Sequence, residues 1–212
     1  MNRLIGSSTL NTRAEKDREG TMPKASRPAK SVRKSQTEMC QVVLPNDANP
    51  LGNALGGTVM HWVDLVAAMA AHRHTSSYVV TASVDHMDFR CPIRVGEVAV
   101  LKASVNRVFR TSLEVGVKVW REENFTGHRE HASSAYLTFV AVDQQGKPHA
   151  VPPVTPKTPE EKRRYREAGR RRQWRMEQLG RIPARRRQSE PIPGEPGPSG
   201  LPARSGIRRQ SV

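Results

Sequence analysis

The chain has 212 residues, enough for one domain of about 100–150 residues with tails, and only 36% of them are hydrophobic against roughly 45–50% in an ordinary globular chain. Its net charge of +15 sits at the ends: residues 1–37 hold nine Lys or Arg and three Asp or Glu, residues 38–158 hold 11 of each, and residues 159–212 hold 15 and six. No run nears the roughly 18 apolar residues of a membrane span, and no secretory apolar stretch opens the chain; Cys40 and Cys91 are too few for a disulfide framework or a zinc site and read as reduced thiols of a cytoplasmic protein.

Residues 1–37 mix Lys, Arg, Ser, Pro and Gly without apolar periodicity, which predicts a disordered basic tail. Glu15, Asp17 and Glu19 argue against a transit peptide, and Met22 offers an alternative start of translation. A domain is expected over 38–158. Met39–Leu44 reads as a strand, and the stretch from Asn46 to Asn53 is dense in turn residues. From Gly56 to about His74, apolar residues recur at spacings of three and four and cover most faces, which predicts one long buried helix. Four strands follow, over 78–89, 97–109, 111–120 and 130–142. Their period-two alternation, with Leu113, Val115, Val117 and Val119 on one face, predicts half-buried antiparallel strands. Arg110 is too short a connection for a crossover, so it closes a hairpin. Thr158 followed by Pro159, Glu160 and Glu161 is a helix-start signature, opening a basic helix over 159–179. Residues 180–212 are rich in Pro, Gly, Arg and Ser and are expected to be disordered. The fold class is therefore α+β, with an antiparallel sheet around one long helix and an open strand edge that invites pairing with a second copy.

Asp64 stands on the apolar helix among Met60, Val63, Ala67 and Ala68. It is either a structural acid paired to a nearby group or a functional one, since perturbed acids cluster at sites. Gly56-Gly57 at the helix start either packs tightly or lets a substrate carbonyl approach the free N–H groups. Asn49 and Asn53 either shape the loop or aim an amide at a substrate oxygen or water. His72 and His74 fall near the helix C-terminus, where they suit its dipole; no histidine set has a metal spacing, and no metal or other cofactor is expected.

The run from Leu44 to Gly57, with Met60 and Val63-Asp64, resembles the acyl-CoA thioester hydrolases of the hot-dog superfamily. The likeness extends through Thr81–Asp85, Asp88–Glu97, Thr111–Val115, Gly146–Pro148 and Thr158–Tyr165, covering about 38–175. It implies a hot-dog fold and hydrolysis of acyl-CoA to a free fatty acid and CoA. Asp64 would be general base or nucleophile, Asn49 from the partner subunit would position water or substrate, and the Gly57 and Gly56 N–H groups would hold the oxyanion. The smallest active unit would be a homodimer, as a trimer of dimers would also contain. Asn53, Val84, Asp85, Phe89 and Ser112 are candidate substrate contacts by the same likeness. Arg90, Arg107, Arg110 and Lys102 are candidates for the CoA phosphates because cationic side chains suit phosphate oxygens, although each also reads as a solvated charge at a strand end. A hot-dog hydratase or dehydratase is the alternative enzyme, usually needing a histidine beside the acid, where only His61 stands. A non-catalytic acyl-CoA-binding module and a nucleic-acid-binding protein are the other classes. The basic ends favour the last, but they lack aromatic interleaving apart from Tyr165 and Trp174, and no nucleic-acid partner is expected for the neutral domain.

Overall fold

The computed structural model describes residues 28–181; the disorder expected of 1–27 and 182–212 lies outside the described residues. Strand β1 (Lys30–Ser31), a 3-10 turn (Val32–Ser35) and β2 (Thr37–Val42) lead into a loop holding a second such turn (Pro45–Asp47). Helix α1 (Gly56–Thr75) follows, then β3 (Tyr78–Phe89), β4 (Val98–Val108), β5 (Ser112–Glu122), β6 (Arg129–Val142), β7 (Val154–Thr155) and helix α2 (Pro159–Arg181). Five strands form one antiparallel sheet in the order β2-β4-β5-β6-β3, and β1 pairs in parallel with β7. Helix α1 packs against all five strands of the sheet, as the α+β reading expects.

The alternating strands place Leu113, Val115, Val117 and Val119 in the core together with Ala99, Leu101, Ala103 and Val105 of β4. The helix contributes Val59, Trp62, Val63, Val66, Ala67, Ala70 and Ala71 to that core. Its composition suggested burial on most faces, but within the protomer only this side is covered. Met60, Leu65 and Met69 on the other flank are 40–46% exposed. Strand β3, at the sheet edge, leaves Tyr78, Val80, Val84 and Phe89 exposed as well.

The ordered domain also starts earlier than composition indicated. Val32 and Ser35 are buried, and the Ser35 hydroxyl accepts the Val105 N–H at 3.0 Å. The Lys30 ammonium donates to the His74 carbonyl at 2.6 Å and to the Ser76 hydroxyl at 3.1 Å, so it, and not a histidine, serves the C-terminal carbonyls of α1. His74 is instead fully buried, with its Nε2–H donating to the Pro152 carbonyl at 2.8 Å; its Nδ1 is buried without a partner. Burial holds this imidazole below its usual pKa, and the Lys30 charge adds to the effect. As pH falls below about 6.5, the unfolded chain takes up a proton that the folded chain refuses, so stability present at neutral pH is lost towards acid. Thermal melts between pH 7 and 5 should show a falling midpoint that flattens in His74→Gln, which keeps a donor for Pro152. Equal slopes in both proteins would remove His74 as the cause.

Helix α2 begins as its sequence signature predicts. The Glu161 N–H donates to the Thr158 hydroxyl at 3.1 Å, and the Glu161 carboxylate accepts the Thr158 N–H at 3.1 Å. Its residues up to Arg171 belong to the domain, and those from Arg172 onward form a second unit. The first part covers Glu114, which alternation places on the solvent face but which is 1% exposed. Arg171 reaches it with two hydrogen bonds, of 2.7 and 3.1 Å, and lies 3.7 Å over the Tyr136 ring; the Asn106 amide completes the set at 2.9 Å.

Candidate active site

The loop before α1 is built by its own polar groups. Asp47 accepts the Leu44 N–H on its carboxylate at 3.0 Å and the Leu55 N–H on its carbonyl at 2.8 Å. Gly52 takes φ of +75°, a left-handed conformation that favours glycine. The Asn49 side-chain oxygen accepts the N–H groups of Leu51 at 3.0 Å and Asn53 at 3.2 Å. Both partners are donors, so the carbonyl end of the amide must face them and its NH₂ end is turned away. Asn49 thus shapes the turn and still presents a donor, so the two roles left open by the sequence are compatible.

Helix α1 opens without a cap. Leu55 at the cap position supplies no side-chain acceptor, and the first helical bond runs from the Val59 N–H to the Leu55 carbonyl. The N–H groups of Gly56, Gly57 and Thr58 precede that bond and have no acceptor within the helix. Tight packing does not explain the glycines. A Cβ at Gly57 would meet nothing within 4 Å, and one at Gly56 would make ordinary contact with the Phe89 ring at 3.6 Å. Their absent side chains leave the helix end open to an approaching group carrying negative charge.

Asn49, Asn53, Gly56, Phe89 and Arg90 line one cavity of about 310 Å³ beside this helix end. Asp64 does not line it. The acid is half-buried two turns along α1, where the Thr81 hydroxyl of β3 donates to one carboxylate oxygen at 2.7 Å. Thr81 is a further candidate that the sequence offers only as part of a motif; the packing of β3 on α1 brings it to the acid. Val84 is exposed on the edge strand, and Asp85 accepts the Ser83 hydroxyl at 3.1 Å.

The other candidates lie elsewhere. Ser112 sits opposite Val140 and Phe89 opposite Ser133, seven residues apart along β6, or about 23 Å of strand. Ser112 is buried and Arg110 exposed at that far end. Arg107 is held under α2, 4.4 Å from the Tyr165 ring and donating to the Tyr165 carbonyl at 3.4 Å. Lys102 pairs with Glu38 at 3.3 Å on the sheet face away from α1. A larger cavity of about 670 Å³ opens there beside α2, but no predicted catalytic residue lines it. Within one protomer, the structure therefore gathers Asn49, Asn53, Gly56, Phe89 and Arg90 and sets Lys102, Arg107, Arg110 and Ser112 apart.

The model of the thioesterase superfamily matches residues 51–127. Acyl-coenzyme A thioesterase 11 of Mus musculus is 40% identical over 146 residues, 68% of this chain, and the chain spans only 24% of that relative's length. An uncharacterised acyl-CoA thioester hydrolase, YkhA of Bacillus subtilis, is 44% identical over 119 residues, covering 56% of this chain and 69% of the relative. Among solved structures, an acyl-CoA hydrolase from Staphylococcus aureus in complex with butyryl-CoA, CoA and CoA disulfide is 37% identical, with a TM-score of 0.68 over 72% of this chain and 93% of that one. A hexameric acyl-CoA thioesterase is 41% identical, with a TM-score of 0.70 over 72% and 97%. The Staphylococcus aureus enzyme has also been solved with one aspartate, one asparagine or one threonine replaced by alanine. Fifteen residues separate that asparagine from that aspartate and 17 separate the aspartate from the threonine, the intervals between Asn49, Asp64 and Thr81 here. By this identity and coverage, the chain belongs to the acyl-CoA thioester hydrolases of the thioesterase superfamily.

Proposed function

We propose that the chain hydrolyses acyl-CoA thioesters to a free acid and CoA. The observation that carries the reading is the uncapped start of α1, where two glycines not required by the protomer's own packing stand beside the outward Asn49 amide. Attack on a thioester builds negative charge on the carbonyl oxygen, and oriented N–H donors there typically matter by about 10²–10³ in rate. The Gly57 and Gly56 N–H groups and the Asn49 amide are such donors. Asp64 takes the proton of the water that attacks the carbonyl, or attacks the carbonyl itself to form a mixed anhydride that water then cleaves to the free acid; in either route the carbon–sulfur bond breaks and the CoA thiolate leaves. Thr81 fixes one carboxylate oxygen and leaves the other free for this step. The matching intervals among the three replaced residues of the Staphylococcus aureus enzyme support these assignments. Water is the only co-reactant the scheme draws on.

The acid comes from a second copy of the chain. Gly57 and Asp64 are seven residues apart on one helix, about 10 Å at 1.5 Å per residue, whereas the reacting atoms must come within about 3 Å. Strand β3 offers its free edge and exposed Tyr78, Val80, Val84 and Phe89. Pairing β3 with its copy about a two-fold axis near Asp85 would set Thr81, with its bonded Asp64, opposite Phe89 of the other protomer and hence beside that protomer's cavity. The hexameric relative fits a trimer of such dimers. We place the enzyme in the cytoplasm, in keeping with two free thiols.

Thiol release from a series of saturated acyl-CoAs, set against hydration of enoyl-CoAs, tests the reaction class. Thioester cleavage without hydration is expected; hydration without thiol release would establish the hydratase instead.

A further inference from the structure

Helix α2 divides its charges unevenly. Tyr165, Ala168 and Arg171 turn towards the domain: Tyr165 packs on the core, Ala168 is fully buried, and Arg171 binds Glu114 and lies over Tyr136. The acids of α2 up to Arg171 are all engaged. Glu160 pairs with Arg164 and Lys118, Glu161 accepts the Lys157 and Thr158 N–H groups, and Glu167 pairs with Arg163. Lys162, Arg166 and Arg170 are left over. They recur at four-residue spacing, within about 80° of arc and about 12 Å of rise, on the side of the helix opposite Ala168. All three are exposed, and among the described residues no carboxylate pairs with any of them. The buried pair of Arg171 and Glu114 fixes the helix, so the stripe is a standing cationic surface. It lies on the face of the sheet away from α1, and the dimer proposed above, built on α1 and the β3 edge, does not use it.

We propose that Lys162, Arg166 and Arg170 dock the protein on a membrane surface that carries anionic phospholipids. A phosphodiester backbone would offer the same charge, but the stripe has no aromatic side chain on which a base could stack. The last turns of α2, taken by themselves, expose Trp174, Met176 and Leu179, a set that suits the boundary between headgroups and acyl chains. Met176 and Leu179 gain nothing from a phosphate backbone. The inference is independent of the reaction the chain catalyses.

The full chain is mixed with vesicles of phosphatidylcholine holding about one-third phosphatidylglycerol, or with vesicles of phosphatidylcholine alone, and bound protein is read by sedimentation. Binding to the anionic vesicles only is expected, and about 1 M salt, with a screening length of about 3 Å, should release it. A cation near such a surface contributes about fivefold. Arg166→Gln alone should therefore weaken binding about fivefold, and Lys162→Gln, Arg166→Gln and Arg170→Gln together about 10²-fold. These side chains are exposed and unpaired, so the thermal midpoint should stay unchanged. Removing the same number of exposed cations elsewhere, with Arg33→Gln, Lys34→Gln and Lys147→Gln, should cost less than about fivefold. Equal losses in the two triple variants would make net charge the cause and overturn the docking surface. Equal binding to both kinds of vesicle, or binding to neither, would overturn it as well. So would tighter binding to a DNA duplex than to the anionic vesicles at the same salt concentration, which would give the stripe to nucleic acid instead.

Discussion

Asp64→Asn is expected to leave the fold intact and to cut turnover by at least about 10²-fold, the scale of losing an acid–base or nucleophilic group. The substitution keeps the volume of the side chain. It also keeps an oxygen to accept the Thr81 hydroxyl, so the contact between α1 and β3 survives. What disappears is the negative charge and the capacity to take a proton or form a covalent bond. The acid is only half-buried, and the carboxamide adds no unpaired ion to the interior. Circular dichroism and a thermal melt check folding, and steady-state thiol release checks turnover. A well-folded Asp64→Asn protein with near-normal turnover would strip Asp64 of its assigned role and return it to the structural reading, an acid that ties α1 to the edge strand.

Much of the fold was legible because the core obeys local periodicities. The period-two run in β5 and, apart from the exposed Met60, the three-and-four spacing of α1 predict the buried side chains, and Thr158 caps α2 as its type suggests. What could not be read depends on partners distant in sequence. Lys30 and Ser35 lie in a stretch whose composition reads as a tail, yet they bond to His74 and Val105 across 44 and 70 residues. Glu114 looks solvated until Arg171, 57 residues on, covers it. Arg107 suits a phosphate by type, but the ring of Tyr165 already stacks on it.

The site divides in the same way. Asn49, Gly56 and Gly57 are close in sequence and legible together, because one loop and one helix start carry that part of the candidate site. Asp64 was singled out as an acid among apolar neighbours. Its hydrogen-bond partner was not, since the Thr81 contact exists only when β3 packs on α1. The exposed Met60, Leu65 and Met69 mark where a single-chain reading stops: composition predicts that they are buried, and the protomer alone leaves them 40–46% exposed.

Two inactive proteins should regain activity when combined. Asn49→Ala removes the donor from the loop half of the site, and Asp64→Ala removes the acid. Each homodimer then has a lesion in both of its sites. When the two are unfolded, mixed in equal amounts and refolded, about half of the dimers pair one chain of each kind. If each site takes Asn49 from one protomer and Asp64 from the other, one site of a mixed dimer receives both lesions and the other receives neither. Activity should therefore return to about a quarter of that of the unaltered chain, and assembly of dimers into hexamers does not change that fraction. If one protomer supplied both residues to its own site, every site in the mixture would keep a lesion. Different affinity tags on the two chains isolate the mixed dimers, and thiol release from an acyl-CoA measures their turnover. Isolated mixed dimers with about half the activity of the unaltered dimer are the result the shared site predicts; isolated mixed dimers as inactive as their parents would contradict it.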